Sequence, residues 1–168
     1  MGFKETSDLI AVSFRVDESA PNTFTEQEIQ LALNALDNEI AIVYAIDLNP
    51  VDPDALAGVT TATRGSLSST SLTSVGTIAD TNVLAEAQLS IAAAGFIDGG
   101  VGFTRGAGET PDARLPYVGI ISTSNFFIQV AGTANVNPKA MTGRLWMKRA
   151  KADASTYAAL VQSEVLSA

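Results

Sequence analysis

The run of residues 39–48 constrains the fold of this chain more than any other segment. It reads Glu-Ile-Ala-Ile-Val-Tyr-Ala-Ile-Asp-Leu, and its β-branched and aromatic side chains fit the pleated surface of a sheet. Because apolar residues follow one another almost without interruption, we expect protein to cover both faces of this strand. An Asp37-Asn38 turn signal precedes the strand, and the prolines at 50 and 53 follow it, where a missing N–H interrupts a strand ladder.

Other segments have strand character as well. Residues 9–16 end in an apolar and polar alternation, which is typical of a half-buried strand. Residues 24–33 also alternate and favour a strand, with a short helix over 26–36 as the alternative. Three more segments follow in close order, and their short connections favour antiparallel neighbours: residues 115–122, 125–132 and 140–149.

Residues 60–81 are rich in hydroxyl side chains, with twelve Ser or Thr. Threonine is β-branched, and hydroxyls satisfy backbone hydrogen bonds locally. We therefore predict an extended strand that lies where water or a partner meets it. The alternative, a disordered linker, is opposed by the apolar side chains Leu67, Leu72, Val75 and Ile78.

Two segments have helical character. Residues 82–94 can be capped by Thr81 or Asn82 and stopped by Gly95, so we predict an inserted helix. Residues 152–166 place apolar side chains at helical spacing and predict an amphipathic C-terminal helix that docks on the rest of the protein. These apolar side chains are Tyr157, Leu160, Val161 and Val165.

The glycine-rich residues 95–108 predict a long loop around a short strand at 100–103. Within it, residues 99–108 match neither a dinucleotide-binding fingerprint nor a P-loop, so a surface loop is the interpretation. Taken together, the segments predict a single domain over residues 1–168. Its fold class is mainly β, an antiparallel two-sheet sandwich of jelly-roll type with one inserted helix and a C-terminal helix.

The chain contains no Cys and no His, which removes disulfides, thiolate metal sites and the histidine-based catalytic arrangements. We predict that it is not an enzyme and uses no cofactor. Asp47, Asp52 and Asp54 supply oxygen ligands of the type that calcium favours. Their segment lacks the glycine and distal Glu of an EF-hand loop, so turn chemistry is the favoured interpretation, and calcium binding stays an open question.

The low charge of the chain bears on its surface. Charged residues make up 17% and hydrophobic residues 46%, against a typical charged share of about 25%. A surface this weakly charged is typical of a protein that a neighbouring subunit covers, with a small monomer of Ser/Thr-rich surface as the alternative. No apolar run reaches the roughly 18 residues that a membrane span needs, and we recognise no secretory signal.

The charges are unevenly distributed. Residues 1–56 carry eleven acids and two bases, whereas residues 139–151 carry five bases and no acid. Opposite signs at the two ends can direct head-to-tail contacts between copies, or they can neutralise each other within one chain; the sequence leaves both open. The candidate subunit-contact or genome-facing residues are the five bases Lys139, Arg144, Lys148, Arg149 and Lys151.

Two aromatic motifs concern the faces of the strands. Phe126 and Phe127 are consecutive, so one ring is expected in the core and the other against a second layer or a partner. Trp146 lies among bases, and we predict that the aromatic and the cations occupy opposite faces. A single-stranded nucleic acid surface interleaves cations and aromatics on one face, so this prediction speaks against such a surface.

Several segments resemble coat proteins of uncultured marine viruses, including tailless icosahedral viruses with single jelly-roll subunits. The resemblance covers most of the chain. It rests on residues 22–25, 36–43, 117–121, 125–130 and 149–153. It implies a major capsid protein that is made in the host cytoplasm and resides in the virion, and it supplies no catalytic residues.

The leading hypothesis is therefore a virion structural protein, a major capsid subunit that assembles into a shell or tube. Its partners would be copies of itself, a second capsid protein, and packaged nucleic acid through the basic segment. The alternative is a carbohydrate- or receptor-binding β-sandwich of spike or lectin type, which the three Tyr and one Trp equip with few stacking platforms. A carboxylate-dependent enzyme is a third hypothesis, and no paired-carboxylate motif supports it.

Overall fold

The computed structural model describes residues 2–95 and 115–168. Within these residues the fold is mainly β, with two antiparallel sheets and an α-helix near the C-terminus. The prediction of a mainly β sandwich with a C-terminal helix is confirmed. The glycine-rich segment, its short strand at 100–103 and the surface loop at 99–108 lie outside the described residues.

Nine strands, one 3₁₀ turn and one α-helix are found in the described residues. The strands are β1 Phe3–Glu5, β2 Ile10–Asp17, β3 Thr25–Gln30, β4 Glu39–Pro50, β5 Thr61–Ser68, β6 Val83–Ile91, β7 Gly119–Ile121, β8 Asn125–Thr133 and β9 Ala140–Ala152. The helix α1 spans Ala154–Leu166, and a single 3₁₀ turn, Ala35–Asp37, precedes β4. No helix within residues 2–95 and 115–168 is long and apolar enough to cross a membrane.

The strands pair in a nested order. β2 pairs with β9, β3 with β8, β4 with β7 and β5 with β6, all antiparallel. The first sheet has the order β1-β9-β4-β7, with β2 also on β9, and the second has the order β3-β8-β5-β6. A long hairpin rolled up so that its arms fall alternately into two sheets gives this nesting, which is the jelly roll.

The core lies between the two sheets. Phe14 of β2 and Phe126 of β8 meet edge to face with ring centroids 5.7 Å apart, a favoured aromatic geometry. Leu67, Ile128 and Leu145 are fully buried around them. Phe126 is in this core, as predicted for one of the two consecutive rings, and Phe127 is half-buried on the opposite face of β8.

Strand β4 is covered on both faces along its first half, as predicted. Ala41 and Val43 face the core between the sheets, and Ile40 and Ile42 face the helix α1. Tyr157 and Leu160, which the sequence assigned to the apolar face of α1, pack on this outer side. The near-continuous apolarity of β4 therefore reflects two separate apolar layers.

The prediction of an inserted helix over residues 82–94 is wrong, because this segment is strand β6. It pairs with β5 from Thr61↔Ile91 to Ser68↔Val83. Residues 85–91 alternate small or apolar side chains with Glu86, Gln88 and Ser90, which is a period of two. Alanine, glutamate and glutamine favour helices, but the ladder with β5 satisfies the backbone and overrides that local preference.

The hydroxyl-rich segment is also only partly as predicted. Residues 61–68 form a strand, but Thr61, Thr63, Ser66 and Ser68 are buried. Residues 69–82 fold back over the outer face of the second sheet, where the Gly76 N–H donates to the Ser66 hydroxyl at 2.9 Å. Other parts of the chain therefore bury much of this strand.

Candidate interaction surfaces

Four of the five predicted basic residues are paired with acids from the first third of the chain. Because β9 lies between β1 or β2 and β4, its bases come beside the acids of the early strands and loops. The pairs are Lys139–Asp54 at 2.7 Å, Lys148–Glu5 at 2.8 Å, Arg149–Glu39 at 3.1 Å and Lys151–Asp37 at 3.5 Å. Most of the basic charge of residues 139–151 is thus neutralised by acids of the same chain.

Lys139 is the most enclosed of these bases, with a side chain only 9% exposed. Its Nζ donates to Asp54 Oδ1, while Asp54 Oδ2 accepts the backbone N–H groups of Val136 and Asn137 at 2.8 and 2.9 Å. The ammonium of Lys139, and secondarily the N–H of Asn137, hold the pKa of Asp54 well below its usual range. This pair ties the loop after β4 to the β8–β9 loop.

A buried polar network that the sequence did not predict surrounds this ion pair. Glu18 is buried and accepts the N–H groups of Gly132 and Lys139 at 2.6 and 2.7 Å. Asn135 accepts the Asp54 N–H at 2.9 Å and donates to the Ala62 carbonyl at 2.9 Å. The network joins loops and strand ends from four parts of the chain. Its members are separated by up to 121 positions in the sequence, so no local sequence pattern could have identified it.

The three aspartates of the acidic segment have separate surroundings. Asp54 is bound to Lys139, Asp52 is exposed, and Asp47 lies opposite Arg144 in the β4–β9 register. In the described parts of the chain, no group of three or more acidic side chains is arranged to hold an ion. The carboxylate of Asp54 serves an ion pair and loop backbone, which agrees with the interpretation as turn chemistry.

Arg149 also has a clear structural role. Besides Glu39, its guanidinium donates to the carbonyls of Leu31 and Ala32 at 3.0 and 3.2 Å. It therefore fixes the loop between β3 and β4 to the end of β9. Contact of any of the five bases with a second subunit or a genome stays a prediction. Within the chain, Lys139, Arg149 and Lys151 are bound to acids.

The prediction that Trp146 and the cations occupy opposite faces is wrong. Successive strand residues alternate faces, so Arg144, Trp146 and Lys148 share one face, the outer face of the first sheet. The Arg144 guanidinium lies 5.9 Å from the centroid of the Trp146 ring, and Lys148 Nζ lies 5.3 Å from that of Tyr44. These are cation–π distances. We call Tyr44, Arg144, Trp146 and Lys148 the cation–aromatic stripe.

A bulge in β4 places Tyr44 in the stripe. The register with β9 shifts between Val43 and Ala45, so Tyr44 is an extra residue in the strand. Its hydroxyl donates to Glu5, whose carboxylate also binds Lys148. The Lys148 hydrogen bond, then that of Tyr44, lowers the pKa of Glu5, and Glu5 in turn raises the pKa values of Lys148 and Tyr44.

The surroundings of the stripe carry charges of both signs. Arg15 and Asp17 of β2 form a fork-like pair at 2.7 and 3.0 Å on the same face, and Asp47 stands beside Arg144. The stripe thus offers aromatic and guanidinium groups without an excess of positive charge. Trp, Tyr and Arg are the residue types that dominate binding energy at protein interfaces.

The helix α1 covers the other half of this sheet face and is anchored by a carboxylate. Glu164 is buried and accepts the Ser122 N–H at 2.9 Å, the Ser122 hydroxyl at 2.6 Å, and the Thr123 hydroxyl. The sequence had assigned Val165 to the apolar face, but Val165 is exposed. The turn between β7 and β8 thus binds the helix end through polar contacts.

Large apolar side chains remain exposed on loops and at the helix end. The most exposed are Leu36 at 95%, Ile78 at 79% and Leu166 at 76%. Leu36 is on the loop between β3 and β4. The Ser124 hydroxyl of the β7–β8 turn donates to the Leu33 carbonyl of this loop, so the loop and the turn are adjacent. Since Glu164 holds the helix end at that same turn, Leu36 and Leu166 belong to one end of the sandwich.

The strand order of the two sheets defines a jelly-roll fold. No protein-family model matches the sequence, and no curated protein matches it either. Among solved structures, a chain of Desmodium yellow mottle tymovirus is similar at 10% identity and a TM-score of 0.32, with 84% of this chain and 87% of that chain covered. A likeness at this level supports no conclusion about function.

Proposed function

We propose that this protein is a structural subunit of a virus shell, a coat protein that assembles with copies of itself. The observation that carries the proposal is the cation–aromatic stripe, which places a Trp, a Tyr and an Arg on the outer face of the first sheet, where Arg144 is exposed and both aromatic rings are half-buried. Such residues form the centres of protein interfaces. The jelly roll is compatible with this role, since capsids use it, but lectins and cupins use it too.

The charge of the stripe favours a protein partner over nucleic acid. Binding of a nucleic acid rests mainly on cations that neutralise phosphates, and here Lys148 is paired with Glu5 and Arg15 with Asp17. Only Arg144 among the stripe's cations has no carboxylate within 4 Å in the described residues. Mixed charges around aromatic groups suit a second folded subunit.

The exposed apolar side chains support assembly at a second place. Leu36 and Leu166 belong to one end of the sandwich and leave most of their surface to water. Burial of apolar surface contributes about 25 cal/mol per Å² before association costs are subtracted. The proposal includes residence in the virion after synthesis in the host cytoplasm and assigns the chain no catalytic step.

Assembly is tested on the purified full chain. Mass photometry and negative-stain microscopy over a range of ionic strength, pH and protein concentration should reveal regular shells or tubes. A protein that stays monomeric under all these conditions would refute the proposal. A monomer that is retained on a glycan array would instead support the receptor-binding module.

The role of the stripe is tested with a matched pair of aromatic truncations. Trp146→Ala should raise the concentration needed for assembly by about tenfold or more, as expected for loss of an interface centre. The control is Phe127→Ala, a half-buried aromatic on the outer face of the other sheet, and it should assemble like the parent. Fluorescence anisotropy with single-stranded RNA completes the test: salt-sensitive binding that Trp146→Ala abolishes, with assembly unchanged, would assign the stripe to nucleic acid.

A further inference from the structure

A small cavity on the outer face of the second sheet is lined by the guanidinium-bearing Arg64, which has no partner among the described residues. Arg64 of β5 lies in register between Ala131 of β8 and Gln88 of β6. Its neighbours along β5 face alternate sides, so Arg64 and Ser66 point outward while Gly65 points to the core. The cavity has a volume of about 280 Å³ and is lined by Phe24, Arg64, Ser74, Val75, Ala131 and Thr133.

The shape of the cavity follows from the sizes of its residues. Ala131 is small and lies between the larger side chains of Phe24 and Arg64, so it forms a floor between two walls. Ser74 and Val75 belong to the segment that folds over this sheet. That segment is fixed on both sides of the cavity wall, by Leu72 N–H to Glu26 at 2.8 Å and by Gly76 N–H to Ser66 at 2.9 Å.

Arg64 is half-buried, and within residues 2–95 and 115–168 it has no carboxylate within 4 Å and no hydrogen-bond acceptor. Glu26, an acid on the same face, is occupied by the Ser71 hydroxyl, the Leu72 N–H and the Gln129 amide. Its carboxylate is therefore unavailable to the guanidinium. Five N–H donors in a fixed plane remain for an external acceptor.

We propose that this cavity binds a compact ligand that carries a carboxylate and an apolar face, the chemical class being an acidic monosaccharide such as a uronic acid. A planar guanidinium matches a carboxylate by two parallel hydrogen bonds. Phe24 can offer an apolar wall to the C–H face of a sugar ring, and the lining residues Ser74 and Thr133 carry hydroxyl groups that can bind sugar hydroxyls. The volume lies below the roughly 300 Å³ at which pockets for drug-sized ligands begin, which fits one sugar residue.

This site is independent of assembly, because it lies on the sheet opposite the cation–aromatic stripe. It adds recognition of a glycan acid to a structural subunit and does not require that subunit to form a shell. Saturation-transfer difference NMR is a suitable measurement, since it works on monomers and on large particles alike. The probes are methyl β-glucuronide, the neutral methyl β-glucoside, acetate and inorganic phosphate.

The glucuronide should give saturable transfer to the ring protons of one sugar face, and the glucoside should give at least about tenfold weaker binding, because it lacks the carboxylate. Arg64→Gln should weaken glucuronide binding by about tenfold or more, and Arg64→Lys should restore only part of it, since an ammonium lacks the planar fork. Phe24→Ala should remove the face-selective transfer. Lys4→Gln, which removes an exposed cation of β1 on the other sheet, is the control and should bind like the parent.

Several results would overturn the inference. Equal binding of glucuronide and glucoside, or unchanged binding by Arg64→Gln, would remove the role of the guanidinium. Phosphate that binds more tightly than glucuronide at the same residues would refute the assignment to a sugar carboxylate. Absence of any saturable transfer in a protein that assembles normally would refute the site while leaving the proposed function intact.

Discussion

The anchor of helix α1 gives the most direct test of how this fold is held together. Glu164→Ala removes a carboxylate that accepts three hydrogen bonds from Ser122 and Thr123. The Thr123 hydroxyl is half-buried and can turn toward water, but the Ser122 N–H is buried and would lose its acceptor. A buried donor without a partner costs about 1–3 kcal/mol, and a hydrogen bond to a charged group is worth about 1.5–3 kcal/mol.

The carboxylate itself loses hydration when it is buried, and this cost offsets part of those contacts. We therefore expect Glu164→Ala to lower the free energy of unfolding by about 2–4 kcal/mol, a large share of the 5–15 kcal/mol typical of a domain. Glu164→Gln keeps one acceptor oxygen and should lose about half as much. Gln162→Ala, at an exposed position of the same helix, should change the free energy by less than about 0.5 kcal/mol.

Urea denaturation followed by Trp146 fluorescence and circular dichroism measures these differences. Hydrogen exchange then locates the effect, since loosening of α1 should reduce protection at Ile40, Ile42 and Ala150, which the helix covers. If Glu164→Ala and Gln162→Ala unfold at the same urea concentration, or if exchange beneath the helix is unchanged, the polar contacts do not anchor it. The helix would then be held by Tyr157 and Leu160 alone.

Three further predictions concern the interior and the loop network. The Thr63 hydroxyl is buried without a hydrogen-bond partner among the described residues, so Thr63→Val should stabilise the fold by about 1 kcal/mol in urea denaturation; a destabilised variant would indicate a missed partner. Gly65→Ala places a methyl group against the Met141 sulfur, and overpacking should cost about 1–3 kcal/mol, seen as a lower melting temperature. The pKa of Asp54 is lowered in the folded state, so its ion pair with Lys139 stabilises the protein above the unfolded-state pKa of about 3.9 and this contribution is lost as the pH falls further. The difference in unfolding free energy between the parent and Asp54→Asn should therefore shrink between pH 5 and pH 2, and a constant difference would contradict the assignment.

Periodicity predicted much of the fold because the relevant strands have one consistent apolar face. β2, β4, β8 and β9 and helix α1 all lie where the pattern placed them. The failure at β6 has a physical cause: Ala, Glu and Gln are helix formers, and only the presence of β5 alongside makes the strand favourable. A partner strand that lies far away in sequence is invisible to a local pattern.

The candidate surfaces also contain some contacts that the sequence predicts and others that it does not. The ion pair of Lys139 with Asp54 joins residues 85 positions apart, and no spacing rule foretells it. The shared face of Arg144, Trp146 and Lys148, by contrast, follows from the sequence alone, because residues two positions apart on a strand lie on the same face. Leu145 and Met147, which lie between these three residues in the sequence, face the core instead.

The sequence of β4 also marks where the protein stops covering its own sheet. Before the bulge, the residues that face outward are Ile40 and Ile42, and α1 buries both. After it, the outward positions are Ala45, Asp47 and Asn49, which pair in register with β9 outside the area of the helix. Tyr44 lies between these two parts of β4. The change from branched apolar to polar side chains along the strand therefore predicts where the part covered by the helix stops. The cation–aromatic stripe lies beyond Ile40 and Ile42, so this part of the sheet combines half-buried aromatic groups with polar neighbours, a combination that is also found in protein interfaces.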